Sequence, residues 1–219
     1  MKKLIFILFL LLPSLAYSQF AGQCQTIYAV STEEGGGDAD FTDNLNALNA
    51  GTFGGQGDWE QENNTCSIYK PASDAEAYPN TADECGVYYD MNLGTDHWVQ
   101  WTIPVVGNTY WGPTVRNSGG SETYYAYYGN NSKRMLCRVV SGNYVRIGTE
   151  GPALTANDVL KLSIVGTTLT CYINDALDTT VGTSGTATDS NISSGNYVGG
   201  GGYGAGYNTR GDDPQGGAL

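Results

Sequence analysis

A period of two runs through the middle of this 219-residue chain and restricts its fold more than any other feature. In His97-Trp98-Val99-Gln100-Trp101-Thr102-Ile103, alternation puts Val99, Trp101 and Ile103 on one face and Trp98, Gln100 and Thr102 on the other. Leu160, Leu162 and Ile164 alternate with Lys161 and Ser163; after a turn at Gly166-Thr167, Leu169, Cys171 and Ile173 alternate with Thr170 and Tyr172. Met135 to Val140 turns at Ser141-Gly142-Asn143 into Tyr144 to Gly148, a second hairpin signal. No segment keeps a helical period. Many short strands with turns every eight to twelve residues specify a sandwich or a barrel. The 31 glycines and 16 tyrosines agree, being turn formers and strand formers.

The first eighteen residues read as a signal peptide. Lys2 and Lys3 precede an apolar run from Leu4 to Leu12, Pro13 breaks it, and Ala16-Tyr17-Ser18 offers small residues for cleavage. The run is too short for a bilayer core of about 30 Å. No later stretch is apolar enough to cross one, so membrane insertion is not expected. The expected organisation is a signal peptide at 1–18, a lead-in segment at 19–40, one β domain at 41–207 and a flexible tail at 208–219. The expected location is secreted or cell surface.

The formal net charge is −12, and −14 once Lys2 and Lys3 leave with the signal. Such a surface repels phosphate backbones and anionic lipid, which excludes nucleic acid as a partner. Five cysteines, Cys24, Cys66, Cys85, Cys137 and Cys171, leave an odd thiol in a compartment that permits disulfides. Cys66 and Cys85 flank a polar loop and are the first pair expected. Two readings stay open for Cys137 and Cys171, a bridge across the core or small buried hydrophobes. None has the spacing of a zinc site.

Four stretches carry a family likeness: Trp111-Gly112-Pro113-Thr114-Val115-Arg116, the aromatic strand Tyr124-Tyr125-Ala126-Tyr127-Tyr128, Leu136-Cys137-Arg138-Val139-Val140-Ser141-Gly142, and above all Asn157 to Asn174, followed by Thr188-Asp189 and Ser194-Gly195. This order, over roughly 85–204, resembles the laminin-G-like and concanavalin A-like lectin/glucanase superfamily. Asp175 stands where that pattern has Gly, which the turn tolerates because Asp also reaches the left-handed region. The resemblance implies an all-β, two-sheet antiparallel jelly-roll sandwich with one concave face. It implies no single activity, since the superfamily holds sugar-binding modules, adhesion domains, hydrolases and lyases.

Catalytic signatures are missing. Hydrolases of the superfamily carry Glu-x-Asp-x-Glu or Glu-x-Asp-x-x-Glu on one strand, and neither occurs here. Glu60 and Glu62 have the spacing of a carboxylate pair, in a polar stretch that reads as a solvated edge. His97 is the sole histidine, and its neighbour Asp96 points to the opposite side of a strand, so it reads as structural. Lyases of the fold resemble a Gln-x-His pattern that is also missing. The reading leans away from an enzyme.

Binding chemistry is better represented. Aromatic rings stack on the apolar faces of sugars while Asn, Asp, Arg and Tyr hydroxyls hold the rim. Trp98, Tyr110, Trp111, Arg116, Tyr125 and Tyr127 are the candidate ligand-binding residues. The superfamily's frequent calcium points to Asp38, Asp40 and Asp43, with Asp212 and Asp213 near the other terminus. Arg210-Gly211-Asp212 spells an integrin tripeptide that three matching letters do not support. The expectation is a secreted, non-catalytic carbohydrate-binding or adhesion module with a polysaccharide or glycan partner. The alternatives are a structural protein self-assembling into surface fibres, and a glycoside hydrolase or polysaccharide lyase of the same fold.

Overall fold

The computed structural model describes residues 39–46, 48–52, 54–62, 68–71, 76–80, 83–204 and 208–219. The expected signal peptide, Cys24, Cys66 and Asp38 lie outside them. The described residues contain strands and turns and no helix. The early strands are short: β1 (Phe41–Thr42), β2 (Gly51–Thr52), β3 (Trp59–Gln61), β4 (Ile68–Lys70) and β5 (Tyr78–Pro79). Longer ones follow: β6 (Glu84–Tyr89), β7 (His97–Val105), β8 (Tyr110–Asn117), β9 (Tyr124–Gly129), β10 (Arg134–Val140) and β11 (Asn143–Gly151). The chain continues with β12 (Asp158–Val165), β13 (Thr168–Ile173), β14 (Ala176–Leu177), β15 (Thr186–Thr188), β16 (Tyr197–Tyr203) and β17 (Arg210–Ala218).

Two antiparallel sheets form the sandwich. The first runs β1-β17-β7-β12-β13-β14, with β15 also beside β13; the second runs β11-β10-β9-β8-β16-β6-β3. A small sheet β2-β4-β5 stands apart from both orders. The alternation read from the sequence holds: Leu160, Leu162 and Ile164 face Trp101, Val99 and His97 on β7 and Ile173, Cys171 and Leu169 on β13. Val99, Trp101 and Ile103 enter the core, and Trp98 belongs to neither apolar cluster. Both hairpins turn where expected. Ser141 and Gly142 both have positive φ, which matches the right-handed twist of the flanking strands. Asn174 (φ 52°) and Asp175 (φ 63°) both sit in the left-handed region, so Asp serves where the superfamily pattern has Gly.

Three tryptophans hold the sheets together. Trp101 lies 5.6 Å from Trp59 and 5.1 Å from Trp111, edge-on to the latter. Offset and edge-on pairs of this kind add about 0.5–1.5 kcal/mol beyond their burial. Their size dictates the composition of β16. A Cβ on Gly200 would sit 2.7 Å from Trp101 and 2.8 Å from Trp111; one on Gly201, facing the other way, would sit 2.6 Å from the Tyr128 hydroxyl. The glycine run is therefore a strand stripped of side chains so that large rings can lie on both its faces.

Two expectations need correction. Residues 208–219 are not a flexible tail. Arg210 to Ala218 form β17, seated between β1 and β7 inside the first sheet. The Gly, Asp and Pro content concealed it, and the reason is again packing: a Cβ on Gly211 would meet Trp111 Nε1 at 1.8 Å. The Arg-Gly-Asp run is thus strand, with Gly211 bonded in both directions to Ala77 and Arg210 paired to Glu76 at 2.7 Å. Cys137 and Cys171 form no bridge. Each is a buried free thiol, Cys137 on the outer side of the second sheet and Cys171 between the sheets, so the reading as small hydrophobes holds.

Gly200→Ala is expected to lower unfolding free energy by about 1–3 kcal/mol, the range for overpacked cores. Val165→Ala, at an exposed position, should stay within about 0.5 kcal/mol of the parent. Chemical denaturation of the two variants measures both.

Candidate functional site

Strand β9 carries the tyrosines, and alternation sends them two ways. Tyr125 and Tyr127 point between the sheets, and Tyr124 and Tyr128 point to the outer side of the second sheet. All four are buried. The Tyr125 hydroxyl donates to Asp189 Oδ1 at 2.7 Å and accepts from the Ile192 amide at 3.0 Å. The Tyr127 hydroxyl donates to Asp178. Each of these carboxylates is also held by an arginine of β10: Asp178 by Arg134 Nε at 2.8 Å and Asp189 by Arg138 Nη1 at 2.5 Å. The arginine and hydroxyl donors outweigh burial and hold the Asp178 carboxyl down at about 2. Rings so enclosed offer no face to a sugar.

The outer pair crosses the sheet. Tyr124 and Tyr128 reach over β8 and β16 to Glu84 on β6, donating to Oε1 at 3.3 and 2.5 Å. Burial pushes the Glu84 carboxyl up to about 8, an effect the two hydroxyl donors offset only in part. Beside it Glu62 is also buried. Its Oε2 accepts from the amides of Gly120 (3.0 Å) and Ser121 (3.2 Å) and from Ser118 Oγ (3.4 Å), so it anchors the β8–β9 connection across the sheet. Glu60 is exposed, so the Glu60–Glu62 spacing does not present two carboxylates together.

The remaining candidates divide. Trp111 is core. Arg116 (φ 55°) is buried, its guanidinium donating to the carbonyls of Ile192, Thr95 and Gly166. Its backbone N–H donates to His97 Nε2 at 2.9 Å, while His97 Nδ1 lies 2.8 Å from the Gly94 carbonyl and donates to it. Burial, with Arg116 adding to it, lowers the His97 pKa to about 4. With both nitrogens engaged it is structural, as the sequence indicated. Trp98 is on the outer face of the first sheet, and Tyr110 packs against the outer cluster of the second. Of the expected calcium set, Asp38 lies outside the described residues, and the other two are already engaged. Both oxygens of Asp43 accept from protein donors, Leu45 N–H and Trp59 Nε1, and Asp40 accepts from the Ala218 amide. No group of three or more His, Cys, Asp or Glu poised to hold an ion occurs among the described residues.

What the second sheet does present outward is a different aromatic pair. Tyr144 on β11 and Tyr203 on β16 are 50% and 41% exposed, yet their ring centroids are 6.0 Å apart at 49°. Strands β10, β9 and β8 lie between them in the sheet order, so this pair spans the sheet's outer surface. Arg146, on the Tyr144 side of β11, donates to Glu150 at 2.6 Å, and Lys133 donates to the same carboxylate at 2.7 Å. Those donors lower the Glu150 pKa. Exposed rings beside charged hydrogen-bonding groups are the chemistry the sequence had assigned to Tyr125 and Tyr127. Tyr144 and Arg146 were findable, since alternation along Tyr144-Val145-Arg146 puts them on one face. Tyr203 was hidden in the glycine run.

The raised Glu84 pKa has a defined sign. Between the ordinary value of 4.5 and about 8, the folded state keeps a proton that the unfolded state has released, so rising pH favours unfolding. Glu84→Gln removes that dependence. Denaturation across pH 5 to 9 should show the parent losing a few kcal/mol relative to the variant, on the scale of about 1.4 kcal/mol per pKa unit. Parallel curves for the two proteins would contradict a buried, protonated Glu84.

No protein-family model matches the sequence, and no curated protein matches it. Solved structures match the fold. A carbohydrate-binding module from Bacillus subtilis aligns over 76% of this chain and 96% of its own, with TM-score 0.53 and 14% identity. A Bacillus subtilis protein of unknown function with a galectin-like fold aligns over 82% and 96%, with TM-score 0.54 and 9% identity. A xylan beta-1,4-xylosidase from Bacillus halodurans C-125 aligns over 84% of this chain but only 40% of its own length, with TM-score 0.55 and 12% identity. At such identities the likeness is one of fold: the chain is a jelly-roll sandwich of the kind found in these proteins.

Proposed function

We propose that this protein is a secreted, non-catalytic carbohydrate-binding module whose glycan rests on the outer face of the second sheet. The observation that carries the reading is the exposed Tyr144–Tyr203 pair, with Arg146 on the Tyr144 side of β11 and bonded, like Lys133, to Glu150. Two rings held at a fixed tilt supply a surface for the apolar face of a pyranose, and the charged groups supply donors and acceptors for its hydroxyls. The fold shared with a carbohydrate-binding module supports it, as does the burial of Glu62 and His97, which leaves neither free to move a proton on a substrate. Export rests on the sequence of residues 1–18 and is tested by amino-terminal analysis of the protein from culture medium, which should begin near Gln19.

Retention on a panel of insoluble polysaccharides and on a glycan array tests binding itself. Tyr144→Ala or Tyr203→Ala should weaken it by about 1 kcal/mol, roughly fivefold, at unchanged melting temperature. Tyr125→Ala should instead lower the unfolding free energy by about 3–5 kcal/mol, as a large-to-small change in a core does, and the melting temperature with it. Absence of binding to every glycan tested would reject the reading.

A further inference from the structure

Strand β11 ends the second sheet, and it differs from the other edges of the sandwich. Among the described residues the remaining edge strands of the two large sheets, β1, β3, β14 and β15, have two or three residues each, too few to offer a partner a run of hydrogen bonds. Strand β11 has nine. Near its end Thr149 exchanges backbone hydrogen bonds with Gly182, but no strand or bridge lies beyond Asn143 to Ile147 among the described residues. That stretch has no proline and no lysine, the residues that commonly guard an open edge. It carries Tyr144 and Val145, 50% and 51% exposed, beside Val140 at 43%.

The hairpin decides which backbone groups face outward. Ser141-Gly142 is a two-residue turn that closes on Val140 and Asn143, a hydrogen-bonded pair. Alternation along the ladder then turns the N–H and C=O of Tyr144 and Arg146 away from β10, and those of Val145 towards it. A second copy of the same edge can meet these outward groups antiparallel in three registers. Tyr144 opposite Tyr144 aligns one outward pair. Arg146 opposite Arg146 also aligns one, and sets like charges together. Centring on Val145 aligns two: Tyr144 meets Arg146 of the other copy, and Arg146 meets its Tyr144. Each pair exchanges both main-chain hydrogen bonds and lays a guanidinium against a phenol ring, while the two valines stand opposite each other on the other face. Charge permits the approach. Residues 133–149 hold four basic residues and no acidic one, and these are paired to Glu150, Asp178 and Asp189. The edge is thus close to neutral in a protein with a formal net charge of −12.

We infer that this protein is a homodimer joined through β11, a second copy adding antiparallel to Asn143–Ile147 with Val145 on the two-fold axis. The axis stands normal to the sheet, so the second sheets of the two copies become one and their outer faces look the same way. The contact is isologous and closes on itself, which separates it from assembly into fibres. The inference does not rest on the glycan reading. It adds to that reading that one dimer presents two Tyr144–Tyr203 surfaces to the same polysaccharide.

Sedimentation velocity of the secreted full chain over a concentration series tests it, and a dimer is expected. Arg146→Pro removes an N–H that faces outward, so the hairpin survives, while the dimer should weaken at least about tenfold, the scale of two lost hydrogen bonds. Val145→Lys sets like charges opposite each other on the axis and should weaken it to a similar degree. Val145→Cys places two thiols across a non-hydrogen-bonded pair with Cα atoms about 4.5 Å apart, within disulfide range. Oxidised glutathione should therefore link this variant into a covalent dimer, beyond any that the parent or Ile147→Cys forms. Tryptophan fluorescence, reporting the buried Trp59, Trp101 and Trp111, confirms that the variants are folded. Val145→Lys should keep polysaccharide binding by the single chain, so failure of the dimer and failure of the glycan surface are read separately. A parent that stays monomeric overturns the inference. So does a dimer or larger assembly that either Arg146→Pro or Val145→Lys leaves intact, which places the contact elsewhere.

Discussion

Four tyrosines on one strand need four places to put their hydroxyls, and this requirement organises the molecule. Strand β9 is covered on both sides, so water cannot serve. A buried hydroxyl without a partner is expensive, on the order of 1–3 kcal/mol, and protein groups supply each one. Tyr124 and Tyr128 share Glu84, Tyr125 has Asp189 and Tyr127 has Asp178. The three acids come from β6, from the turn after β14 and from the segment after β15. The arginine partners of Asp178 and Asp189 come from β10. A single strand therefore fixes where the β14–β16 connections lie and how β6 sits against the far side of its own sheet.

This demand redistributes the acidity of the chain. The composition suggests a uniformly negative, solvated exterior, yet Glu62, Glu84 and Asp178 are interior groups with assigned donors. Asp178 stays ionised because Arg134 and two hydroxyls hold it, whereas Glu84 has only hydroxyls and is held neutral by its surroundings. Two carboxyls serving the same strand thus differ in charge state because Arg134 bonds Asp178 directly, whereas the donors to Glu84 are tyrosine hydroxyls.

Much of the fold was legible in the sequence. Alternation at 97–103 and 158–173 located the heart of the first sheet and its facing, because half-buried strands need one apolar side. It failed where glycine replaces the side chains that make a pattern visible. Strands β16 and β17 carry almost no periodic signal, since their role is to stay thin beneath Trp101, Trp111 and Tyr128. The candidate site was legible by residue type but not by position. The sequence marks Tyr124 to Tyr128 as an aromatic strand, and only the hydroxyl partners, contributed from up to 64 residues away, reveal that its rings are structural. Conversely, Tyr144 and Tyr203 are 59 residues apart in numbering and become a pair only when β10, β9 and β8 curve between them.

The seating of β17 between β1 and β7 bears on the order in which the molecule assembles. Strand β7 has β12 on one edge, but its other edge stays bare until residues 210–218 arrive, more than a hundred positions later. Until then the first sheet lacks both its inner neighbour and the route by which β1 attaches. During synthesis the second-sheet meander from β8 to β11 has local partners and closes early, whereas the first sheet waits with an open edge. Closing such a distant pairing is slow, because a long loop must be ordered before it is rewarded by contacts. The window in which an unprotected strand can be held unfolded, handed to a chaperone or captured by another chain is therefore set by the last nine-residue strand to emerge.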